Sequence, residues 1–103
     1  MKKIMLVCSA GMSTSLLVTK MRTAAIKKGI SVDIFAVSEA ELKNHTNDVD
    51  VVLLGPQVRF LLNKMEKTLE PKGISIAVID SVNYGMMNGE AVLEQALDII
   101  GNK

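Results

Sequence analysis

Four short runs of mostly branched apolar residues recur along the chain. They lie at residues 4–7, 32–37, 51–54 and 74–79. Runs of this length that are apolar at nearly every position are typical of strands buried on both faces of a parallel sheet. The pattern therefore predicts four β-strands.

Longer stretches between these runs carry apolar residues at helical spacing. In the first, residues 13–28, Leu17, Met21 and Ala25 fall on one face, and Gly29 follows as the left-handed residue on which helices commonly end. Three further helices are predicted: a short one at about residues 38–44, opened by the capping-box spacing of Ser38 and Glu41, one at residues 57–69, and one beginning near Asn88.

The alternation of strands and helices indicates an α/β fold. We expect a single domain, residues 1–103, with a four-stranded parallel sheet flanked by helices on both faces and joined by right-handed crossovers. In such sheets ligands bind at the carboxyl ends of the strands. The loop after the first strand, residues 8–15, is therefore the first candidate for a site.

Composition narrows the class of function. Hydrophobic residues make up 49% of the chain and charged residues 22%, and 12 basic residues nearly balance 11 acidic ones. The basic residues are scattered and aromatic residues make up only 3%, so a basic stripe or a stacking platform for nucleic acid is absent from the sequence. This composition is typical of a globular protein that does not bind nucleic acid.

The number of cysteines and the N-terminal residues indicate the cellular compartment in which the protein is expected. The single cysteine, Cys8, has no partner for an intramolecular disulfide, so an oxidising compartment would not stabilise the fold. The apolar run before it is shorter than a signal peptide needs, and no run approaches a membrane span. We expect a cytoplasmic protein without direct membrane insertion.

The loop after the first strand has the composition of an anion cradle. It reads Cys8-Ser9-Ala10-Gly11-Met12-Ser13-Thr14-Ser15, with side chains that are nearly all small or hydroxylic. Backbone N–H groups that turn into a helix N-terminus converge on an anion, and the helix dipole adds to this attraction. A cysteine in this position can also be a small core residue. The hydroxylic loop favours a thiolate that accepts a phosphoryl group.

These residues resemble a known family. The loop, continued through Leu16-Leu17-Val18, closely resembles the phosphocysteine loop of enzyme IIB in the bacterial sugar phosphotransferase system, in its lactose, cellobiose and chitobiose family. The similarity extends in order through segments along the whole chain: Lys20-Met21-Arg22, residues 50–57, Val78-Ile79-Asp80-Ser81 and Tyr84-Gly85. The cellobiose and chitobiose branch fits better than the lactose branch.

The resemblance implies a phosphocarrier. Cys8 would take a phosphoryl group from a phosphohistidine on the IIA protein and pass it to a β-linked disaccharide bound by the membrane protein IIC, with Ser9 through Ser15 as the phosphate loop. It implies no metal and no organic cofactor in the chain. It also implies a cytoplasmic protein that meets the inner face of the membrane transiently, through IIC.

An enzyme of another class has a similar loop. Low-molecular-weight tyrosine phosphatases, whose fold the IIB fold resembles, place a cysteine in the same turn and hydrolyse the phosphocysteine. They need an arginine six residues after the cysteine, and this chain has Thr14 there. They also need an acid, for which Asp80 is a candidate, although an Asp-Ser pair at a strand end is more often a turn.

Binding modules with the same alternation fit less well. A flavodoxin would use aromatic stacking, for which only Phe35, Phe60 and Tyr84 are available. A receiver domain would place an aspartate at the end of the third strand, where the sequence has Leu54-Gly55-Pro56.

Two further groups of residues call for an interpretation. Met12, Tyr84, Met86 and Met87 form either a docking surface at the rim of the loop or part of the core. His45, the only histidine, lies in a polar connector and is expected to be a solvated loop residue, since one histidine does not make a metal site.

Overall fold

The computed structural model describes residues 1–8, 14–45 and 48–101. The strands are β1 (Lys2–Cys8), β2 (Val32–Ser38), β3 (Val51–Leu54) and β4 (Ser75–Val78), and the α-helices are α1 (Thr14–Lys28), α2 (Leu62–Leu69), α3 (Ser81–Gly85) and α4 (Gly89–Gly101). Three 3₁₀ helices cover Glu39–His45, Pro56–Leu61 and Glu70–Lys72. The four strands form one parallel sheet in the order β2-β1-β3-β4, which confirms the predicted fold class.

Alternate residues of the central strands face two different layers. Ile4 and Leu6 of β1 lie in a core cluster with residues of α1 and α4, and this side of the sheet is called the α1/α4 face. Met5 and Val7 lie in a second cluster with residues of α2, on the α2 face. Because each face is covered, residues 4–8 of β1 and all of β3 are apolar and buried, in agreement with the sequence pattern. Burial of each such side chain contributes about 1.5–3 kcal/mol.

The first predicted helix ends where the sequence indicated. α1 stops at Lys28, and Gly29 has a φ of 68°. Its amide donates to the carbonyl of Ile26 at 3.1 Å, which satisfies one of the free carbonyls of the last turn.

Two predicted helices have different geometry from the one expected. The stretch at residues 57–69 is divided into the 3₁₀ helix Pro56–Leu61 and α2, since Val58 has non-helical dihedrals of −117° and 20°. The short helix after Ser38 is a 3₁₀ helix, Glu39–His45, and the Ser38 hydroxyl lies 3.2 Å from the Glu41 carboxylate, to which it donates. The helical periodicity of these sequences does not distinguish the two types of helix.

One helix was not predicted at all. α3 has five residues, too few to show an apolar period. It begins because Asp80 caps it: one carboxylate oxygen accepts hydrogen bonds from the amides of Val82 and Asn83, each at 3.0 Å. None of the helices in the described ranges has the length and apolarity needed to span a membrane.

Candidate functional site

Cys8 is the last residue of β1, a central strand of the sheet. The residue is 8% exposed, and its Sγ lies 4.0 Å from the carbonyl oxygen of Val37 on β2. The register pairs Cys8 with Ser38 on that side. The thiol therefore lies at the carboxyl edge of the sheet, where ligands bind in open α/β folds.

The phosphate loop predicted by the sequence is only partly within the described residues. Ser9, Ala10, Gly11, Met12 and Ser13 lie outside them. Thr14 is the first residue of α1, and Ser15 follows it with an exposed side chain. A helix of 15 residues thus begins six positions after the thiol, and the amides of its first turn have no partner within the helix itself.

A hydrogen bond at the same edge joins two connectors of the sheet. The Nε2 of Gln57, which follows β3, donates to the hydroxyl of Tyr84 in α3 at 3.0 Å. The Oε1 of Gln57 is buried and has no hydrogen-bond partner among the described residues. The sequence analysis assigned Gln57 no role, although the residue ends the segment 50–57 that resembles the family and directly follows Gly55-Pro56.

Asp80 lies at this edge in a structural role. Its side chain caps α3, and its own amide donates to the Oε1 of Gln95 at 3.3 Å. The residue is exposed. The structure therefore gives Asp80 a local role as the cap of a short helix, and its capping bonds use one of the two carboxylate oxygens.

The predicted docking residues differ in exposure. Met86 is 68% exposed, whereas Met87 packs against the core of the α1/α4 face and has a φ of 54°. Tyr84 is half-buried against the same core, and Met12 lies outside the described residues. Two exposed apolar side chains at the same edge were missed by the sequence reasoning, Phe60 at 69% and Val82 at 64%.

His45 does not lie in a solvated loop as predicted. It is half-buried at the end of a 3₁₀ helix, with its ring centroid 5.5 Å from that of Phe35. The prediction was wrong because a ring contact with an edge strand has no local sequence signal. In the part of the chain that the structure describes, no cluster of three or more His, Cys, Asp or Glu side chains could hold a metal ion.

Comparison with known proteins decides the family. A sequence model described as "PTS system, Lactose/Cellobiose specific IIB subunit" matches residues 3–95. The chain belongs to this IIB family. It is therefore a phosphotransferase component of a sugar phosphotransferase system.

Relatives of this IIB subunit match it over nearly its whole length. The oligo-β-mannoside-specific EIIB component of Bacillus subtilis is 45% identical to this chain, and the alignment covers 100% of both chains. The galactose-specific EIIB component of Lactococcus lactis is 44% identical, with 96% of each chain covered. The solution structure of a cellobiose-specific IIB protein from Borrelia burgdorferi has a TM-score of 0.81 and 45% identity, and the match covers 99% of this chain and 94% of that one.

A more distant structure has the same fold. The crystal structure of a YwlE mutant from Bacillus subtilis aligns with this IIB subunit at a TM-score of 0.57 and 12% identity, covering 97% of this chain and 94% of that chain. Such an identity shows a shared fold alone. The family assignment favours the phosphotransfer interpretation over hydrolysis.

Proposed function

We propose that Cys8 is the residue of this IIB subunit that carries the phosphoryl group. The observation that supports it is the position of the thiol, at the carboxyl end of a central strand and six residues before the N-terminus of α1. The helix dipole stabilises a nearby anion by about 0.3–1 kcal/mol at an exposed position, and by up to about 2 kcal/mol when partly buried. Ser9 through Ser15 would supply further N–H and hydroxyl donors to the phosphoryl oxygens.

Transfer would proceed in two displacements at phosphorus. The thiolate of Cys8 attacks a phosphohistidine of the IIA protein, so that an S–P bond forms, the P–N bond breaks and the imidazole takes up a proton. A sugar hydroxyl held by the membrane protein IIC then attacks the same phosphorus. An O–P bond forms, the S–P bond breaks, the thiolate is restored and the hydroxyl proton leaves to a base or to water.

The site is suited to keeping the phosphoryl group until the acceptor arrives. Thr14 holds the sequence position at which the phosphatases have their arginine, and Asp80, the candidate acid, caps α3. Arg22 donates to the Ile34 carbonyl from Nε at 3.0 Å and from a terminal nitrogen at 2.5 Å, and is therefore engaged at β2. Slow hydrolysis is expected, because water attack would proceed without an arginine to stabilise the charge on the phosphoryl oxygens.

The exposed apolar side chains at the carboxyl edge fit a protein partner. Leu16, Phe60, Val82 and Met86 lie in the segments that follow β1, β3 and β4, and are 49% to 69% exposed. A donor histidine that reaches Cys8 must cover this edge. We assign Phe60, Val82 and Met86 to the docking surface for IIA, with Tyr84 as a half-buried part of its floor and Met12 as a proposed member in the loop.

The acceptor is proposed to be a β-linked disaccharide of the cellobiose or chitobiose type. Relatives named for oligo-β-mannoside, galactose and cellobiose have almost the same identity to this chain, 44% to 45%. This agrees with a IIB subunit whose partner IIC selects the sugar. We propose that residues 1–103 act as one domain in the cytoplasm and meet the membrane only through IIC.

Mass spectrometry of the intact chain tests the role of Cys8. The chain is incubated with IIA and the general phosphorylating proteins of the system, with Cys8→Ser as the matched control. The parent should gain one phosphoryl group and the variant none. No adduct on the parent, or an equal adduct on Cys8→Ser, would overturn the proposal. Sustained turnover of p-nitrophenyl phosphate by the parent would favour the phosphatase interpretation instead.

A further inference from the structure

Cys8 and Gly55 are neighbours across the sheet. The last register pair of β1 and β3 is Val7 with Leu54, and the amide of Gly55 donates to the Val7 carbonyl at 2.8 Å. One more step of the same register sets Gly55 beside Cys8. Continuation of the usual strand spacing to this pair would put the two α-carbons about 4.8 Å apart.

The alternation of side chains puts both positions on one face. Leu6 and Leu53 pair with each other and lie in the core of the α1/α4 face, while Val7 and Leu54 lie in the core of the α2 face. The next pair, Cys8 and Gly55, therefore points to the α1/α4 face again. A side chain at residue 55 would lie directly beside that of Cys8.

Gln57 fills the place of this missing side chain. A Cβ built on Gly55 would overlap the Oε1 of Gln57 and would lie 3.3 Å from the carbonyl oxygen of Val7. The amide of Gln57 is thus folded back over Gly55, on the β3 side of Cys8, while the Val37 carbonyl contacts the Sγ on the β2 side.

In the side-chain amide of Gln57, the nitrogen has a hydrogen-bond partner and the oxygen has none among the described residues. Tyr84, itself packed against the core of the α1/α4 face, fixes the outer end by the 3.0 Å hydrogen bond to Nε2. The inner end, Oε1, is buried without a partner in the described parts of the chain. Buried polar atoms in folded proteins nearly always have a partner, so the free inner end indicates a binding function.

We propose that the side-chain amide of Gln57 binds the phosphoryl group on Cys8, with Tyr84 as its positioning residue. This inference rests on the proposed role of Cys8. A glutamine amide keeps its shape when its oxygen and nitrogen exchange places, and a tyrosine hydroxyl can donate as well as accept. In the exchanged orientation Tyr84 donates to Oε1, and Nε2 lies over Gly55 and donates to a phosphoryl oxygen.

This donor differs in charge from the arginine of a phosphatase. A neutral amide hydrogen bond holds a phosphoryl oxygen without neutralising the charge that builds up during hydrolysis. Gln57 would therefore stabilise the phosphocysteine while leaving it slow to react with water. It would contact the phosphoryl group from the carboxyl end of β3.

The equilibrium constant for phosphoryl transfer from IIA to Cys8 tests the hydrogen bond between Gln57 and the phosphoryl group. The full chain and its variants are equilibrated with phosphorylated IIA at a fixed ratio, the phosphorylated fraction is read by intact mass, and the ³¹P chemical shift of the phosphocysteine is recorded. Gln57→Met keeps the length of the side chain and removes its donor. We expect its transfer equilibrium constant to fall about tenfold or more, with a displaced ³¹P signal. Tyr84→Phe should change both quantities in the same direction, by less.

A second glutamine at the same edge provides the matched control. Gln95 donates to the Val78 carbonyl at 2.9 Å and accepts from the Asp80 amide, so both its ends are occupied by backbone at the end of β4. Gln95→Met should keep the equilibrium constant and the ³¹P shift of the parent. If Gln57→Met fails to fold by circular dichroism, Gln57→Glu, which keeps the shape and repels a phosphoryl dianion, should lower the equilibrium constant further.

The outcomes separate this inference from the role of Cys8. A parent chain that takes up no phosphoryl group overturns both. A parent that is phosphorylated at Cys8, with Gln57→Met matching it in equilibrium constant and ³¹P shift, overturns the role of Gln57 alone. An equal effect of Gln95→Met would also overturn it, because the effect would then come from general loosening of the sheet edge.

Discussion

Gly89, the first residue of α4, packs directly against the backbone of Lys20 in α1. A Cβ at residue 89 would lie 2.5 Å from the Lys20 carbonyl carbon and 2.7 Å from the Met21 amide nitrogen. The two helices thus approach more closely at this point than any larger residue permits. They cover the α1/α4 face, so their spacing decides how Leu17, Val92 and Leu93 fill that core.

Gly89→Ala is expected to destabilise the fold by about 1–3 kcal/mol, because it meets two backbone atoms and the Cβ of Lys20, none of which can rotate away. Urea denaturation followed by circular dichroism measures the change. Gly101→Ala, in the same helix, meets nothing within 4 Å and should leave the midpoint unchanged or slightly higher. Equal midpoints for the parent and Gly89→Ala would show that the helices can separate freely.

Gly55→Ala is expected to impair phosphoryl transfer with little effect on stability. Its Cβ would displace the flexible amide of Gln57 from beside Cys8, so it should reproduce the loss caused by Gln57→Met. The transfer equilibrium with IIA and the urea midpoint are measured together. Gly85→Ala, which meets open space in α3, is the control. A Gly55→Ala variant with the equilibrium constant of the parent would contradict the placement of the amide.

The ion pair between Lys28 of α1 and Glu94 of α4 predicts a pH dependence. A 3.0 Å hydrogen bond to Glu94, and then the charges of Glu94 and Glu90, raise the pKa of Lys28 above its ordinary value. A pKa that is higher in the folded state stabilises the fold fully below the unfolded-state value, and this stabilisation is lost as pH rises through the folded-state value.

Lys28→Met should therefore lower the urea midpoint at about pH 8, and its difference from the parent should shrink towards about pH 12. Lys27→Met removes the same charge from the neighbouring exposed position and should show a difference that varies less with pH. Added salt should reduce the effect of Lys28→Met at about pH 8, because both groups are partly exposed. A pH-independent difference would contradict the role of the ion pair.

Substitution of Met86 tests the docking surface. Met86→Ser should raise the KM for IIA severalfold and leave kcat nearly unchanged, since a 68% exposed side chain contributes to binding a partner and little to the fold. Phosphorylation rates over a range of IIA concentrations give both constants. Ile26→Ser removes a comparably exposed apolar side chain, 79% exposed, near the C-terminal end of α1. Equal changes in KM for the two variants would contradict a surface confined to the carboxyl edge.

The sequence by itself determined the strands and the class of fold. Residues 4–8 of β1 and all of β3 are apolar because both faces of the sheet are covered, and that composition is visible without coordinates. The end of α1 could also be predicted from local sequence, because Gly29 provides the left-handed backbone on which the helix stops. The position of Cys8 at the carboxyl edge followed from the order of the elements.

The tertiary structure decided the features that depend on distant residues. Met86 and Met87 are adjacent and identical in chemistry, yet the turn after α3 exposes one and packs the other. Gln57 and Tyr84 lie 27 residues apart, and only the parallel pairing of β3 with β4 brings their connectors together. Periodicity reports which face of an element is buried, whereas a contact between side chains of separate connectors depends on the packing of the whole sheet.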